Sequence, residues 1–330
     1  FGISDNLVSQ PSNFEAMNLQ EKINDYRLDI NNKGDLESLI KEIEPDFIFH
    51  LAAQALVRPS YEDPQSTIKT NAIGTANLLE SLRSLDKKVT VVMITSDKAY
   101  DNVEWLWGYK ETDALGGKDP YSASKGMAEL VIKTYFHSFF KSENSKVRLA
   151  TTRAGNVIGG GDWAKDRIVP DCMKAWAENK LVEIRSPTAT RPWQHVLEPL
   201  GGYLLLGATL HNSLDFNGEA FNFGPSPKNN FSVQQLIEGM QKHWSNVKWK
   251  DRSKGIEEVY EARLLRLNCE KAQEYLNWTP SLDFEETIGM TVSWYKNYYE
   301  GNQDTFEYTI SQIQEYEDKA LARGASWIKN

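Results

Sequence analysis

The sequence predicts an α/β protein: a doubly wound parallel sheet in its first half and a smaller α/β domain in its second. Two observations carry this. Helical and strand patterns alternate up to about residue 160, the order that builds strand–helix–strand units. The stretch "VTVVMITSDKAYDN" (89–102) opens on an unbroken apolar and β-branched run, as a strand buried on both faces of a parallel sheet does.

The elements follow in order. "KGDLESLIKEIEP" (33–45) has apolar residues at helical spacing and stops at Pro45, and "DFIFHLAAQ" (46–54) is a short apolar strand. "STIKTNAIGTANLLESLRSL" (66–85) reads as a helix rich in small residues, and the buried strand occupies 89–95. Asp119 ahead of Pro120 marks the start of a helix in "DPYSASKGMAELVIKTYFHSFF" (119–140). That helix is apolar on more than one face, so it is expected to pack on two sides. "KVRLATTRAGNVIG" (146–159) is the next strand. Beyond it the loops lengthen and Pro, Gly and Trp punctuate "GGGDWAKDRIVP", "RSPTATRPWQHVLEP" and "FNFGPSPKNNFS", before a polar helical run from about 303. The predicted division is 1–160 for the sheet domain and 161–330 for the smaller one, with some later segments returning to the first.

Composition narrows the function. The chain has 330 residues, 40% hydrophobic and 25% charged, an ordinary soluble composition and more than one core usually organises. A formal charge of −9 argues against nucleic acid as a partner, though a few placed arginines still allow a small anionic ligand. No stretch approaches the ~18 uninterrupted apolar residues of a membrane span, so no membrane partner is expected. The five histidines show no metal-ligand spacing, and no metal is expected. Cys172 and Cys269 share no close motif and read as free thiols in a reducing compartment. Most of the ten tryptophans read as core or interface residues.

The chemistry candidates lie where the buried strand stops. It ends in Ser96, Asp97 and Lys98, and ligands of open α/β sheets sit at the carboxyl ends of strands. On the helix that follows, Tyr121 and Lys125 stand four apart and share a face. An ammonium beside a phenol favours the phenolate, which suits a base that removes an alcohol proton. A hydroxyl, a carboxylate and an ammonium would then face the tyrosine across one crevice.

"LAAQ" (51–54), "TN" with Gly74 (70–74), "TSDKAYDN" (95–102), "DPYSASKG" (119–126), "RAGNVIGGGDW" (153–163) and "RPWQHVLEP" (191–199), in this order, resemble the extended short-chain dehydrogenase/reductase family to about residue 296. Within it, Ser-Asp-Lys in place of the commoner Thr-Asp-Glu, followed by "WLWGY", is similar to the branch that dehydrates CDP-glucose. The resemblance implies a Rossmann-type sheet, NAD as cofactor and CDP-glucose as the small-molecule substrate. Tyr121, kept basic by Lys125, would take the sugar O4 proton while C4 gives hydride to the cofactor. Lys98 would remove the C5 proton, Asp97 would protonate the departing C6 hydroxyl, and Ser96 would bond near O4. From the residues alone, Asp97 and Lys98 could exchange these two protons.

By the same resemblance Asp29, Ile30, Leu51, Ala52, Ala53, Gln54 and Asn71, with Tyr121 and Lys125, line the cofactor. Asn156, Arg167, Arg191 and His195 fall on the substrate side, and the Arg191 guanidinium suits a diphosphate. "GGGDW" (159–163) runs into Asp162-Trp163 rather than a helix start, so it reads as a flexible substrate loop and not a phosphate cradle. A cytoplasmic homodimer is expected, formed through a four-helix bundle by the helices at 66–85 and 119–140. Relatives build dideoxy sugars for bacterial surface polysaccharide, so an O-antigen or lipopolysaccharide setting follows.

Two departures bear on this. The family's opening strand, glycine-rich turn and helix have no counterpart before "FGISDN", so the sheet is expected to be N-terminally truncated and residues 1–330 alone to bind NAD weakly. In "VYEARLLRLNCEKA" (259–272), Tyr260 and Arg263 stand where relatives tend to carry His, and Asn268 where they carry Asp, which bears on nucleotide preference. The rival readings are a 4-epimerase or reductase, which has no use for an acid–base pair at 97–98, and a non-catalytic binding protein on a degraded scaffold. An intact set of Ser96, Asp97, Lys98, Tyr121 and Lys125 argues against decay.

Overall fold

The computed structural model describes residues 1–226, 229–245, 247–253 and 264–329; Tyr260 and Arg263 therefore lie outside the described residues. Twelve strands occur among the described residues. In chain order they are β1 (Gly2–Ser4), β2 (Asp25–Arg27), β3 (Phe47–His50), β4 (Val89–Ile94), β5 (Val147–Ala154) and β6 (Val157–Ile158). Then come β7 (Val182–Ile184), β8 (Thr190–Arg191), β9 (Gln194–His195), β10 (Ala220–Phe223), β11 (Phe231–Ser232) and β12 (Trp249–Asp251).

The main sheet is parallel, in the order β10-β5-β4-β3. Its central strand β4 explains its own sequence. Val89, Val91 and Met93 point into a cluster with Leu79, Leu82, Ile132 and Phe140 on one face. Val92 points to the other face, against Leu206, Leu210 and Phe221. Side chains alternate across a strand, so a strand covered twice is apolar on both faces, and the one polar residue of β4, Thr90, meets His211 Nδ1 at 3.1 Å. β1 and β2 pair parallel with each other, and among the described residues they share no strand pairing with the main sheet.

The helices form close to where the sequence places them. Lys33–Ile43 buries Leu36, Leu39 and Ile40 and ends at Glu44, in left-handed conformation directly before Pro45. The helix expected at 66–85 is Pro64–Ile68, a π turn Lys69–Gly74 and Thr75–Leu82, opened by Asp63, whose Oδ1 accepts from Ser66 N at 2.9 Å. The helix Pro120–Tyr135 has Asp119 as its cap in the same way, and a π turn Phe136–Phe140 completes it.

The strand expected at 146–159 is two strands. Asn156, at φ +53°, breaks it, so β6 leaves the main sheet and pairs with β9. The second half builds its own core from Trp163, Trp176, Trp193, Trp294, Tyr295 and Ile288. The helix Leu197–Asn212 and strand β10 return to the main sheet, where Tyr203 and Phe223 pack with Trp278. The polar run from 303 forms the helix Thr305–Ala322.

Beneath the carboxyl ends of the strands lies an ion pair the sequence did not announce. Arg153 Nε of β5 meets Glu129 Oε1 of the Pro120–Tyr135 helix at 2.7 Å, and Nη2 meets Oε2 at 2.9 Å, with both side chains 4% exposed. The Thr95 hydroxyl also donates to Glu129. Arg153 Nη1 donates to Tyr100 Oη (2.8 Å), which donates to Asn222 Oδ1 of β10 (2.8 Å). Removing one partner of such a pair strands a buried charge, which typically costs about 3–5 kcal/mol, whereas replacing both is far milder. Glu129→Leu should therefore lose about that much stability in equilibrium denaturation, and Glu129→Leu/Arg153→Met should recover most of it. A double variant no more stable than the single one would mean that the charges are not the source.

Candidate active site

Because β3, β4 and β5 are parallel, their carboxyl ends lie along one edge, and the candidate residues follow each of them. After β4, Ser96 is extended and caps the short 3₁₀ turn Asp97–Ala99, its hydroxyl accepting from Lys98 N at 3.2 Å. It donates to Asp97 Oδ1 at 3.0 Å. The Asp97 carboxyl is 3% exposed, and burial raises it above the usual carboxylate range. Lys98, the Ser96 hydroxyl and Arg191 all pull the other way, in that order. Gly155, directly after β5, leaves the space the carboxylate fills: a Cβ there would collide with Asp97 Oδ2.

Tyr121 and Lys125 occupy the first turns of the Pro120–Tyr135 helix and are both buried. The expected lowering of the phenol does not occur. Burial pushes Tyr121 up to about 12, and the nearby Asp97 charge adds to this. What opposes it most is the hydrogen bond with Ser96, with Arg167 contributing in the same direction. Lys125 is itself pushed down to about 8 by burial, partly offset by Glu129, so the ammonium suffers from the desolvation that was to make it useful. The structure thus brings Ser96, Asp97, Tyr121 and Arg167 into one electrostatic group.

On the cofactor side, Leu51, Ala52, Ala53 and Gln54 follow β3, and Asp29 and Ile30 follow β2. Leu51 is 56% exposed although apolar, Ile30 is buried, and the Asp29 carboxylate is exposed with Oδ1 held by Asn31 N at 2.8 Å. Asn31 Oδ1 is buried with no hydrogen-bond partner, and the Lys125 ammonium meets none among the described residues. An edge offering an apolar shelf, a carboxylate for ribose hydroxyls and an unanswered ammonium fits a dinucleotide such as NAD. Asn71 and Gln54 do something else. Asn71 Oδ1 accepts from Gln54 N (2.8 Å) and its Nδ2 donates to Gln54 O (2.9 Å) and Ser124 Oγ (2.8 Å). Gln54 Nε2 bonds Leu56 O and Thr67 Oγ1. Both side chains hold the loop's shape.

On the substrate side, the Asn156 Nδ2 and His195 Nε2 atoms are buried without partners. His195 Nδ1 faces Leu197 N at 3.3 Å, and burial pushes the imidazole down to about 4, so it is neutral. Arg191 is buried and donates to Thr190 O at 2.9 Å, while Arg167 pairs with Asp162 at 3.0 Å on a half-exposed surface. "GGGDW" is not a loose substrate loop. Gly160 lets the backbone lie on the Trp294 ring, Asp162 N donates to Tyr295 Oη at 3.1 Å, and Trp163 is 2% exposed. Asn268 Oδ1 accepts from Glu270 N at 2.9 Å at a helix start, a task that Asp performs equally well.

Sequence reasoning missed Gly155, whose only signal is "RAGN", and Tyr203, where Asp97's charge is felt across the sheet face. Lys125 supplies a test of the burial. With a folded value near 8 and an unfolded one near 10.5, the unfolded chain binds more protons between those limits, so stability rises with pH through that window. From pH 7 to 10 the wild type should gain about 2–3 kcal/mol relative to Lys125→Met in denaturation. A constant difference would mean that Lys125 titrates as it does in water.

Comparison with known proteins adds the following. The model of the family described as GDP-mannose 4,6 dehydratase matches residues 5–291. The chain is 43% identical over 310 residues to a CDP-glucose 4,6-dehydratase of Salmonella typhimurium, covering 93% of this chain and 86% of that one. It is 26% identical to a dTDP-glucose 4,6-dehydratase of Xanthomonas campestris, over 81% and 77%. In fold it is similar to the UDP-glucuronic acid 4-epimerase of Bacillus cereus, solved with UDP-glucuronic acid and NAD, at a TM-score of 0.74, 22% identity and 90% coverage of both chains.

Proposed function

Since the chain belongs to the GDP-mannose 4,6-dehydratase family of extended short-chain dehydrogenase/reductases, we propose that it is an NAD-dependent hydro-lyase converting CDP-glucose to CDP-4-keto-6-deoxyglucose. The observation that carries this reading is the 43% identity over 93% of the chain to a CDP-glucose 4,6-dehydratase. The Ser96-Asp97-Lys98 turn, with Ser96 and Asp97 buried and Lys98 half-buried, carries groups of the kinds such a reaction needs.

NAD, when bound, supplies the positively charged ring that accepts hydride from C4 and later returns it to C6. Asp29, Ile30, Leu51, Ala52, Ala53 and the backbone of Gln54 would hold it, with Asn71 fixing that loop and Tyr121 and Lys125 beside its reactive end. In this reading Tyr121 Oη takes the O4 proton, and the Ser96 bond favours its charged form. Lys98 Nζ takes the C5 proton that the 4-ketone has acidified. Asp97, whose raised carboxyl keeps a proton within reach, hands it to the C6 oxygen, which leaves as water. Asn156, Arg167, Arg191 and His195 orient the sugar nucleotide. Residues 1–160 are assigned to the cofactor and 161–330 mainly to the substrate.

We further infer a homodimer through the two helical rods that carry Asn71 and Tyr121. Ile73, Met127, Leu130 and Phe139 on them are large, apolar and exposed. A cytoplasmic enzyme supplying deoxysugars for surface polysaccharide such as O-antigen is the matching setting, and among the described residues no helix is long and apolar enough to cross a membrane.

CDP-glucose deuterated at C4 should yield a 4-keto product carrying the label at C6, read by mass spectrometry and NMR. Label lost, or retained at C4 without C6 deoxygenation, would overturn the dehydratase. Asp97→Asn should abolish water loss while C4 oxidation stays detectable. A solution mass of about 38 kDa instead of about twice that would remove the dimer.

A further inference from the structure

Two side chains without a role so far, Arg266 and Trp107, face one cleft together with Asp97. Their relative placement is rigid. Tyr109 N donates to Arg266 O (2.8 Å) and Asn268 N to Tyr109 O (2.9 Å), so the two segments run side by side. Asn222 Nδ2 clamps both, donating to Tyr109 O (2.9 Å) and Asn268 O (3.0 Å). Gly108 approaches so closely that a Cβ there would stand 2.6 Å from Asn268 N. Tyr109, buried and stacked on Tyr100 at 5.1 Å, anchors the loop that carries Trp107.

The cleft, of about 240 Å³, is also lined by Gly155, Pro192 and Asn230. Arg266 Nε is buried in it with no hydrogen-bond partner, and its guanidinium forms no ion pair or side-chain hydrogen bond among the described residues. Asn230 Oδ1 is buried and unpartnered too. A native fold rarely leaves a buried N–H of a cation unanswered, because the desolvation is uncompensated. An oxyanion answers it. Trp107 is 73% exposed and Leu106 75%, a large apolar face held at the mouth of the cleft instead of in a core.

We propose that Arg266 binds the phosphate attached to the hexose of the sugar nucleotide, with Trp107 covering the sugar ring beside it. This rests on the dehydratase reading, which puts the hexose C6 at Asp97; the sugar-linked phosphate is then the anion nearest to that end of the substrate. For CDP-glucose it is the β-phosphate, the group that distinguishes CDP from CMP.

The test is calorimetric binding of CDP and of CMP to the full chain with NAD present. Wild type should prefer CDP. Arg266→Met should weaken CDP by about tenfold to a hundredfold and CMP little, collapsing the preference, and Arg266→Lys should restore part of it. The CDP preference should also shrink as salt rises, a readout that needs no variant. Trp107→Ala should raise the KM for CDP-glucose about tenfold while the CDP-to-CMP ratio holds. An unchanged ratio in Arg266→Met, or a wild type that does not separate CDP from CMP, would overturn the proposal. A wild type that prefers CDP through Arg266 but does not dehydrate CDP-glucose would overturn the dehydratase and leave the phosphate site standing.

Discussion

The Arg153–Glu129 pair is the constraint on which the site depends. The catalytic candidates come from two elements of different kind, a turn at the end of β4 and the first turns of the Pro120–Tyr135 helix. Their separation must hold to a fraction of an ångström for a proton to pass. Glu129 sits one turn after Lys125 on that helix, Arg153 sits one residue before the end of β5, and Thr95 of the β4 end bonds the same carboxylate. Helix, turn and sheet are thus fixed at a single buried point. From there the network runs through Tyr100 and Asn222 to Tyr109 and Asn268, so the wall that carries Trp107 and Arg266 is registered to the same point.

Burial does the electrostatic work in the crevice. Asp97 and Tyr121 are raised and Lys125 and His195 lowered, and in each case desolvation is the leading cause. All four are pushed toward neutrality. On the proposed roles, the upward shift at 97 favours a proton donor, whereas the upward shift at 121 opposes a proton acceptor. The groups that favour phenolate here are Ser96 and Arg167, and the positive ring of the cofactor would act in the same sense. On the proposed roles, the base at 121 depends on its partners for activation, while burial in the fold favours the acid at 97.

Much of the fold was legible because each signal was local. Pro45 ends a helix, Asp119-Pro120 starts one, and the apolar run 89–94 can only be a doubly covered strand. What escaped depends on contacts distant in sequence. β7 pairs with β12 from residues 182 and 249, a register no local pattern encodes. Glu129 looks like a surface residue until Arg153 is placed against it. The strand at 146–159 read as one because a left-handed Asn156 leaves no mark in hydrophobic patterning. The five residues proposed for catalysis came from spacing, order and family resemblance, whereas the direction of the Tyr121 shift did not, because it turns on depth of burial.

Gly155 shows how one position sets the surroundings of the buried carboxyl. Removing hydride from C4 asks for a base at O4, the role proposed for Tyr121 on the Pro120–Tyr135 helix. Expelling the C6 hydroxyl asks in addition for a protonated acid on the far side of the sugar, buried enough to keep its proton. Such a carboxyl needs room at the strand ends, and Gly155, directly after β5, leaves it. With a side chain there, a Cβ would collide with the Asp97 carboxylate, which would have to leave its buried place. The absence of a single Cβ is thus what leaves room for the carboxyl proposed as the acid, across from the Tyr121 phenol.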